Sequence, residues 1–99
     1  MRYQLKLFIA GMSHNSIKAI ENINAICHQY LADNYDLEVI DIYQQPQYAK
    51  EFDLIGIPTL VRQTPGPEKH IMGSLSETQK VVDLLEIDTN EHNASSHEQ

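Results

Sequence analysis

Gly56-Ile57-Pro58-Thr59-Leu60-Val61 reads as a β-strand entered through a proline. Proline cannot donate to a ladder, so within a sheet it is confined to a strand's first residue, an edge or a bulge. The β-branched and aliphatic residues behind Pro58 suit a pleated, half-buried surface. Cis peptides are largely an X-Pro phenomenon, which makes Ile57-Pro58 a candidate cis bond and Pro58 a structural joint. The strand, expected over Thr59 to Gln63, must stop at Thr64-Pro65-Gly66-Pro67, a stretch that can only turn. Lys69 to Met72 then returns antiparallel as the partner strand, and Gly73 closes it.

Upstream, Tyr3 to Ala10 reads as a strand whose end is apolar on both faces, as in the middle of a parallel sheet. Gly11 breaks it. Ser13, Asn15 or Ser16 can cap the helix that follows, because each offers a side-chain oxygen to the first free amides. Ile17, Ile20, Ile23, Cys27 and Tyr30 recur at three- and four-residue steps and define its buried stripe, up to a stop at Asp33-Asn34. Leu37 to Tyr43 is the next strand, reached by a crossover long enough for a right-handed parallel unit. Pro46 suits the first turn of a short helix running to about Leu54. After Gly73, Ser76-Glu77-Thr78-Gln79 has the spacing of a capping box between Ser76 and Gln79. Val81, Val82, Leu84, Leu85 and Ile87 give the last amphipathic helix. The domain is expected to end there. Asp88 to Gln99 is polar, with three acids and no Lys or Arg, and is expected to be a disordered tail.

The bulk numbers narrow the function. Ninety-nine residues suffice for one domain with a modest core. Seven basic against fourteen acidic residues give a net charge of −7, which opposes nucleic-acid binding and attachment to an anionic membrane. No apolar run approaches a membrane span and no charged-then-apolar leader opens the chain, so a cytoplasmic protein is expected. Cys27 is the single cysteine, which excludes an internal disulfide and fits a reducing compartment.

The element order, βαβ-α-ββ-α, is the thioredoxin-like topology, an α/β fold. Redox members carry a Cys-x-x-Cys pair after the first strand, facing the proline joint. Here Gly11-Met12-Ser13-His14-Asn15 stands in its place, and disulfide exchange through a vicinal pair is unavailable. A scaffold of that kind without its thiols points first to binding.

Further stretches carry a specific resemblance. Leu5-Lys6-Leu7-Phe8-Ile9-Ala10-Gly11, Asn15-Ser16, Val39-Ile40-Asp41, Pro46-Gln47-Tyr48-Ala49, Pro58-Thr59-Leu60, Ile71-Met72-Gly73-Ser74-Leu75-Ser76 and Lys80-Val81 resemble the KaiB family of bacterial clock proteins over residues 3 to 87. The resemblance implies a non-enzymatic protein that docks on KaiC, a hexameric ATPase and autokinase. It also implies a chain able to take two folds: an oligomeric ground state, dimer or tetramer, with an altered C-terminal half, and a thioredoxin-like state that binds KaiC. The chain departs from the family pattern in several places. Met12-Ser13-His14 replaces Asn-Thr-Pro, and Glu68-Lys69-His70 replaces an Arg pair. Glu38 and Asp53 fall where lysines are usual, and a glycine near Leu84 is absent. Reversing a rim charge slows association and penalises the former partner. Losing a helix-interior glycine, worth roughly 1 kcal/mol, and gaining a capping box both favour the thioredoxin-like state.

Individual residues have competing explanations. Cys27 lies on the apolar stripe and reads as a small buried hydrophobe. Ser13 stands where a nucleophile would, but capping explains it without a substrate. The five histidines show no zinc-type spacing, and no phosphate-binding glycine loop or other cofactor motif is present. Asp41 reads as a strand-end group bonding nearby amides. Tyr43, Tyr48 and Phe52 form either an exposed aromatic patch or part of the core. Lys6, Lys18, Lys69 and Arg62 are candidate cations for an acidic partner, with Tyr48 and Phe52 as candidate anchors. Three functions remain open: an adaptor on a KaiC-like ATPase, a homologue serving stress adaptation or signalling through another partner, and a degenerate redox or glutathione-using enzyme.

Overall fold

A computed structural model describes residues 2–87. The expected disordered tail, residues 88–99, lies outside the described residues. The elements are β1 (Tyr3–Ile9), α1 (His14–Tyr30), β2 (Tyr35–Asp41), α2 (Gln47–Glu51), β3 (Thr59–Thr64), β4 (Lys69–Met72) and α3 (Thr78–Leu84). This is the anticipated order. The strands form one sheet, β2-β1-β3-β4, with β1 and β2 parallel and the other neighbours antiparallel. The Ile57-Pro58 bond at the entrance to β3 is cis, as are Thr64-Pro65 and Gly66-Pro67 in the turn that follows.

The sheet has two unequal faces. Leu5, Leu7, Ile9 and Leu60 pack beneath α1 and α3, against Ala19, Ile23, Ile26, Cys27, Val81, Val82 and Leu85. On the other face Phe8, Ile40 and Val61 are buried by Tyr48, Phe52, Leu54 and Ile57. β1 is therefore apolar on both faces at its C-terminal end, as its sequence indicates. Its N-terminal half on the α2 face stays polar, where Gln4, Lys6, Asp36, Glu38 and Gln63 line an open depression.

Local chemistry explains most boundaries. Ser13 caps α1, its hydroxyl accepting from the Ser16 amide at 3.2 Å. The buried stripe of α1 is Ser16, Ala19, Ile23, Ile26 and Cys27, with Ile20 and Tyr30 half-buried. Ile17, expected inside, is 40% exposed. Ser16 takes the inward position because its hydroxyl meets both Ser13 and the Ala10 amide, which rotates the stripe away from Ile17. β2 starts two residues earlier than expected because Arg2 clasps its beginning, bidentate to Asp36 and bonded to the Asp33 and Tyr35 carbonyls. Pro46 sits just outside α2 as its cap, and the helix stops before Leu54 as Asp53 turns left-handed at φ 54°.

The C-terminal helix corrects two expectations. The Ser76/Gln79 capping box does not form: Glu77 occupies the cap position without a side-chain bond, and Gln79 donates instead to Asp83 at 3.0 Å. The left-handed backbone at Leu75, φ 62°, leads the chain into the helix by a different path. Of the two arguments for a favoured thioredoxin-like state, only the missing glycine near Leu84 survives. Arg62, a candidate surface cation, is fully buried on the helix face. Its guanidinium donates to the carbonyls of Leu85 and Pro67 and meets the Glu86 carboxylate at 3.3 Å. It thus ties the end of α3 to the β3–β4 turn.

Replacing Arg62 with Met leaves the Leu85 and Pro67 carbonyls without donors, and orphaning a buried group costs about 1–3 kcal/mol. We expect Arg62→Met to lose about 3 kcal/mol in urea unfolding; a loss no larger than that of an exposed substitution, about 0.5 kcal/mol, would show that the clasp is dispensable.

Candidate partner-docking surface

Among the described residues, the most exposed large apolar side chains gather at one end of the sheet. β1 and β2 finish there, β3 begins there and β4 ends there. Met12 in the β1–α1 loop is 71% exposed, Tyr43 after β2 75%, and Ile55 before β3 89%. Met72, at the end of β4, is 58% exposed and forms the corner between this rim and the free side of β4. Isolated exposed apolar residues need no explanation, but several converging from separate loops mark an interaction surface.

The rim is held by a small polar framework. Asp41 accepts from the Gly11 amide at 3.1 Å and the Tyr43 amide at 2.9 Å, joining the β1–α1 loop to the turn after β2. Its expected strand-end role is what the geometry shows. Gly11 is left-handed at φ 62°, and a Cβ there would come within 3.3 Å of the Tyr43 ring. Glycine therefore serves both the turn and the seat of Tyr43. At the corner, Gly56 lies against the Met72 sulfur, 3.3 Å from an ideal Cβ.

The candidate residues read from sequence do not form one surface. Tyr48 and Phe52 are half-buried on the α2 face, packed at a tilt against Phe8 at centroid distances of 5.8 and 5.0 Å. They anchor α2, while Tyr43, the third aromatic, is the exposed one. Lys6 shares that face but is paired with Glu38 at 2.7 Å. Lys69 is on the opposite, helix side, 3.6 Å from Glu86, and Lys18 is exposed on α1. Sequence reasoning missed Met12 and Ile55. Their signal was an apolar residue next to a loop glycine, Gly11 or Gly56, outside any periodic pattern.

The chemistry at the former redox position is capping. The Ser13 hydroxyl donates to the Ser16 hydroxyl at 2.9 Å while accepting from the Ser16 amide. Cys27 is wholly buried on α1, and desolvation raises its thiol from near 9 to about 12.

The KaiB domain model matches residues 6–87 of the chain. The chain belongs to the KaiB family. It is 44% identical over 86 residues to circadian clock protein KaiB3 of Synechocystis sp., covering 87% of this chain and 84% of that one. It is 39% identical over 85 residues to the circadian clock oscillator protein KaiB of Cyanothece sp., covering 86% and 81%. Among solved structures, the N-terminal domain of SasA from Synechococcus elongatus superposes with a TM-score of 0.72 at 24% identity, covering 86% and 80%. Oxidised mitochondrial thioredoxin 3 of Saccharomyces cerevisiae gives 0.69 at 16% identity, covering 85% and 76%. Both similarities show a thioredoxin-like fold, the arrangement in which this KaiB-family chain is folded.

A thiol at about 12 is neutral and shielded at ordinary pH. We expect Cys27 to react with a thiol reagent only after unfolding. The unfolded thiol loses its proton first, so stability falls as pH rises from near 9 toward 12. Rapid native labelling at neutral pH would contradict this burial.

Proposed function

We propose that the chain is a non-enzymatic cytoplasmic adaptor that docks on a KaiC-like hexameric ATPase and modulates its phosphorylation or output. The supporting observation is what occupies the end of the sheet. A family fold of the thioredoxin type presents Met12, Tyr43 and Ile55 there, with Ser13 engaged as a helix cap rather than held ready as a nucleophile. Methionine adapts to irregular partner surfaces, and tyrosine is among the residues that most often anchor interfaces.

A second reading has its own observation. The Lys6–Glu38 ion pair neutralises a candidate contact cation, and Glu38 and Asp53 put acid where the family resemblance implies lysines. Such changes favour a co-evolved ring or a different signalling partner over a standard KaiC.

Light scattering on size-exclusion eluates, with the KaiC-like ATPase of the same organism and ATP, tests both. We expect a stable complex that Tyr43→Ala weakens about 30-fold, as for an anchor worth about 2 kcal/mol, without altering the melting temperature. An intact ring that captures no wild-type protein would rule out the first reading, a co-evolved ring included, and leave a different signalling partner.

A further inference from the structure

Sulfur reaches the surface of this chain as thioether and not as thiol. Among the described residues it is carried by Met12, Met72 and Cys27. Cys27 is wholly buried on α1, where desolvation raises its thiol to about 12. The thiolate is the reactive form of cysteine, so that sulfur is inert while the chain is folded. The two methionines are in the opposite situation. Met12 is 71% exposed and Met72 58%, and both belong to the apolar end of the sheet.

Their placement matters as much as their exposure. Met12 stands in the β1–α1 loop, where redox members of the fold carry their cysteine pair. The backbone around it is held in place. Gly11 is left-handed and its amide is bonded to Asp41, while Ser13 caps α1. Met72 projects at the corner with its sulfur resting on Gly56, 3.3 Å from an ideal Cβ there. A thioether needs no proton removed before it reacts, so exposure alone decides whether an oxidant reaches it.

We propose that Met12 and Met72 are a modification site for hydrogen peroxide, at which oxidation to methionine sulfoxide turns the docking rim from apolar to polar and loosens the partner. A sulfur lone pair attacks one peroxide oxygen, and the S–O bond forms as the O–O bond breaks. The proton of the transferred hydroxyl ends on the departing hydroxide, which leaves as water. Sulfur loses two electrons and the peroxide gains them, so the step needs no further reactant. The product is a polar, chiral side chain in place of an adaptable apolar one, and thiol-dependent sulfoxide reductases reverse it. A sulfoxide oxygen buried against a partner without a donor opposes docking. Tyr43 and Ile55 keep their part of the rim, so oxidation tunes the contact and does not abolish it. The loosening of the partner rests on the adaptor reading above; the chemistry at the two sulfurs does not.

The test begins with the full chain in hydrogen peroxide at neutral pH, followed by peptide mass spectrometry. We expect one oxygen on Met12 and one on Met72 at rates close to that of free methionine, with Cys27 unmodified. Hydrophobic-interaction chromatography then reads the rim without any ATPase. Peroxide should advance the elution of wild type further than that of Met12→Leu/Met72→Leu, in which Met1 is the remaining methionine. With the KaiC-like ATPase and ATP, each protein is compared with its own untreated form. Oxidised wild type should dock about tenfold more weakly, and the double variant should show no such change. A sulfoxide reductase should restore wild-type docking, an arm that needs no variant to fold. Oxidation far slower than that of free methionine would overturn the proposal. So would oxidation that leaves elution or docking unchanged, or an equal loss in the double variant. Untreated protein that does not dock would sink the adaptor reading alone, and oxygen uptake with elution would still decide the site.

Discussion

β1 is paired along both edges and is apolar on both faces at its C-terminal end, so the chain must supply two covers, and they are of unequal size. α1 and α3 bury Leu5, Leu7 and Ile9 along the strand's length. α2, only five residues long, reaches Phe8, Ile40 and Val61 but not the polar half beyond them. This imbalance decides where polar and apolar groups can stand. Lys6 and Glu38 pair across the uncovered half of the α2 face. The loops entering and leaving the strands meet at the covered end, where Asp41 holds two of them together. A fully buried arginine completes the helix side, replacing with its donors what a longer or better-capped α3 would provide.

The fold was legible wherever a signal was local. The proline joint at Pro58, the antiparallel return from Lys69 to Met72, the cap at Ser13 and the strand-end role of Asp41 each follow from one residue type in its immediate context. The misreadings share a different cause. Ile17 and Ser16 exchanged places because a hydroxyl with two local partners can enter the interior more cheaply than periodicity alone suggests. The Ser76–Gln79 box satisfied the spacing rule, but the left-handed Leu75 takes the chain into the helix along a path that does not use it. Arg62 looked like any surface cation because the carbonyls that hold it lie at Pro67 and Leu85 and become neighbours only when α3 packs.

The site was legible in its chemistry but not its geometry. The missing cysteines point from sequence alone to binding rather than redox work. The candidate cations are scattered over two faces, and three of them, Lys6, Arg62 and Lys69, are already paired within the chain. The surface that remains is apolar and assembled from separate loops, which no periodic pattern reveals. Tyr43 leads it because Gly11 leaves room for its ring, and Met72 links it to the free edge of β4.

Amide hydrogen exchange on this chain, alone and with the hexameric KaiC-like ATPase and ATP, tests the central claim most directly. The account predicts that protection on binding concentrates in residues 11–14, 43–45 and 53–57, at the end of the sheet that carries Met12, Tyr43 and Ile55. Protection confined to the exposed side of α1, or to the polar half of the α2 face around Lys6 and Glu38, would contradict it.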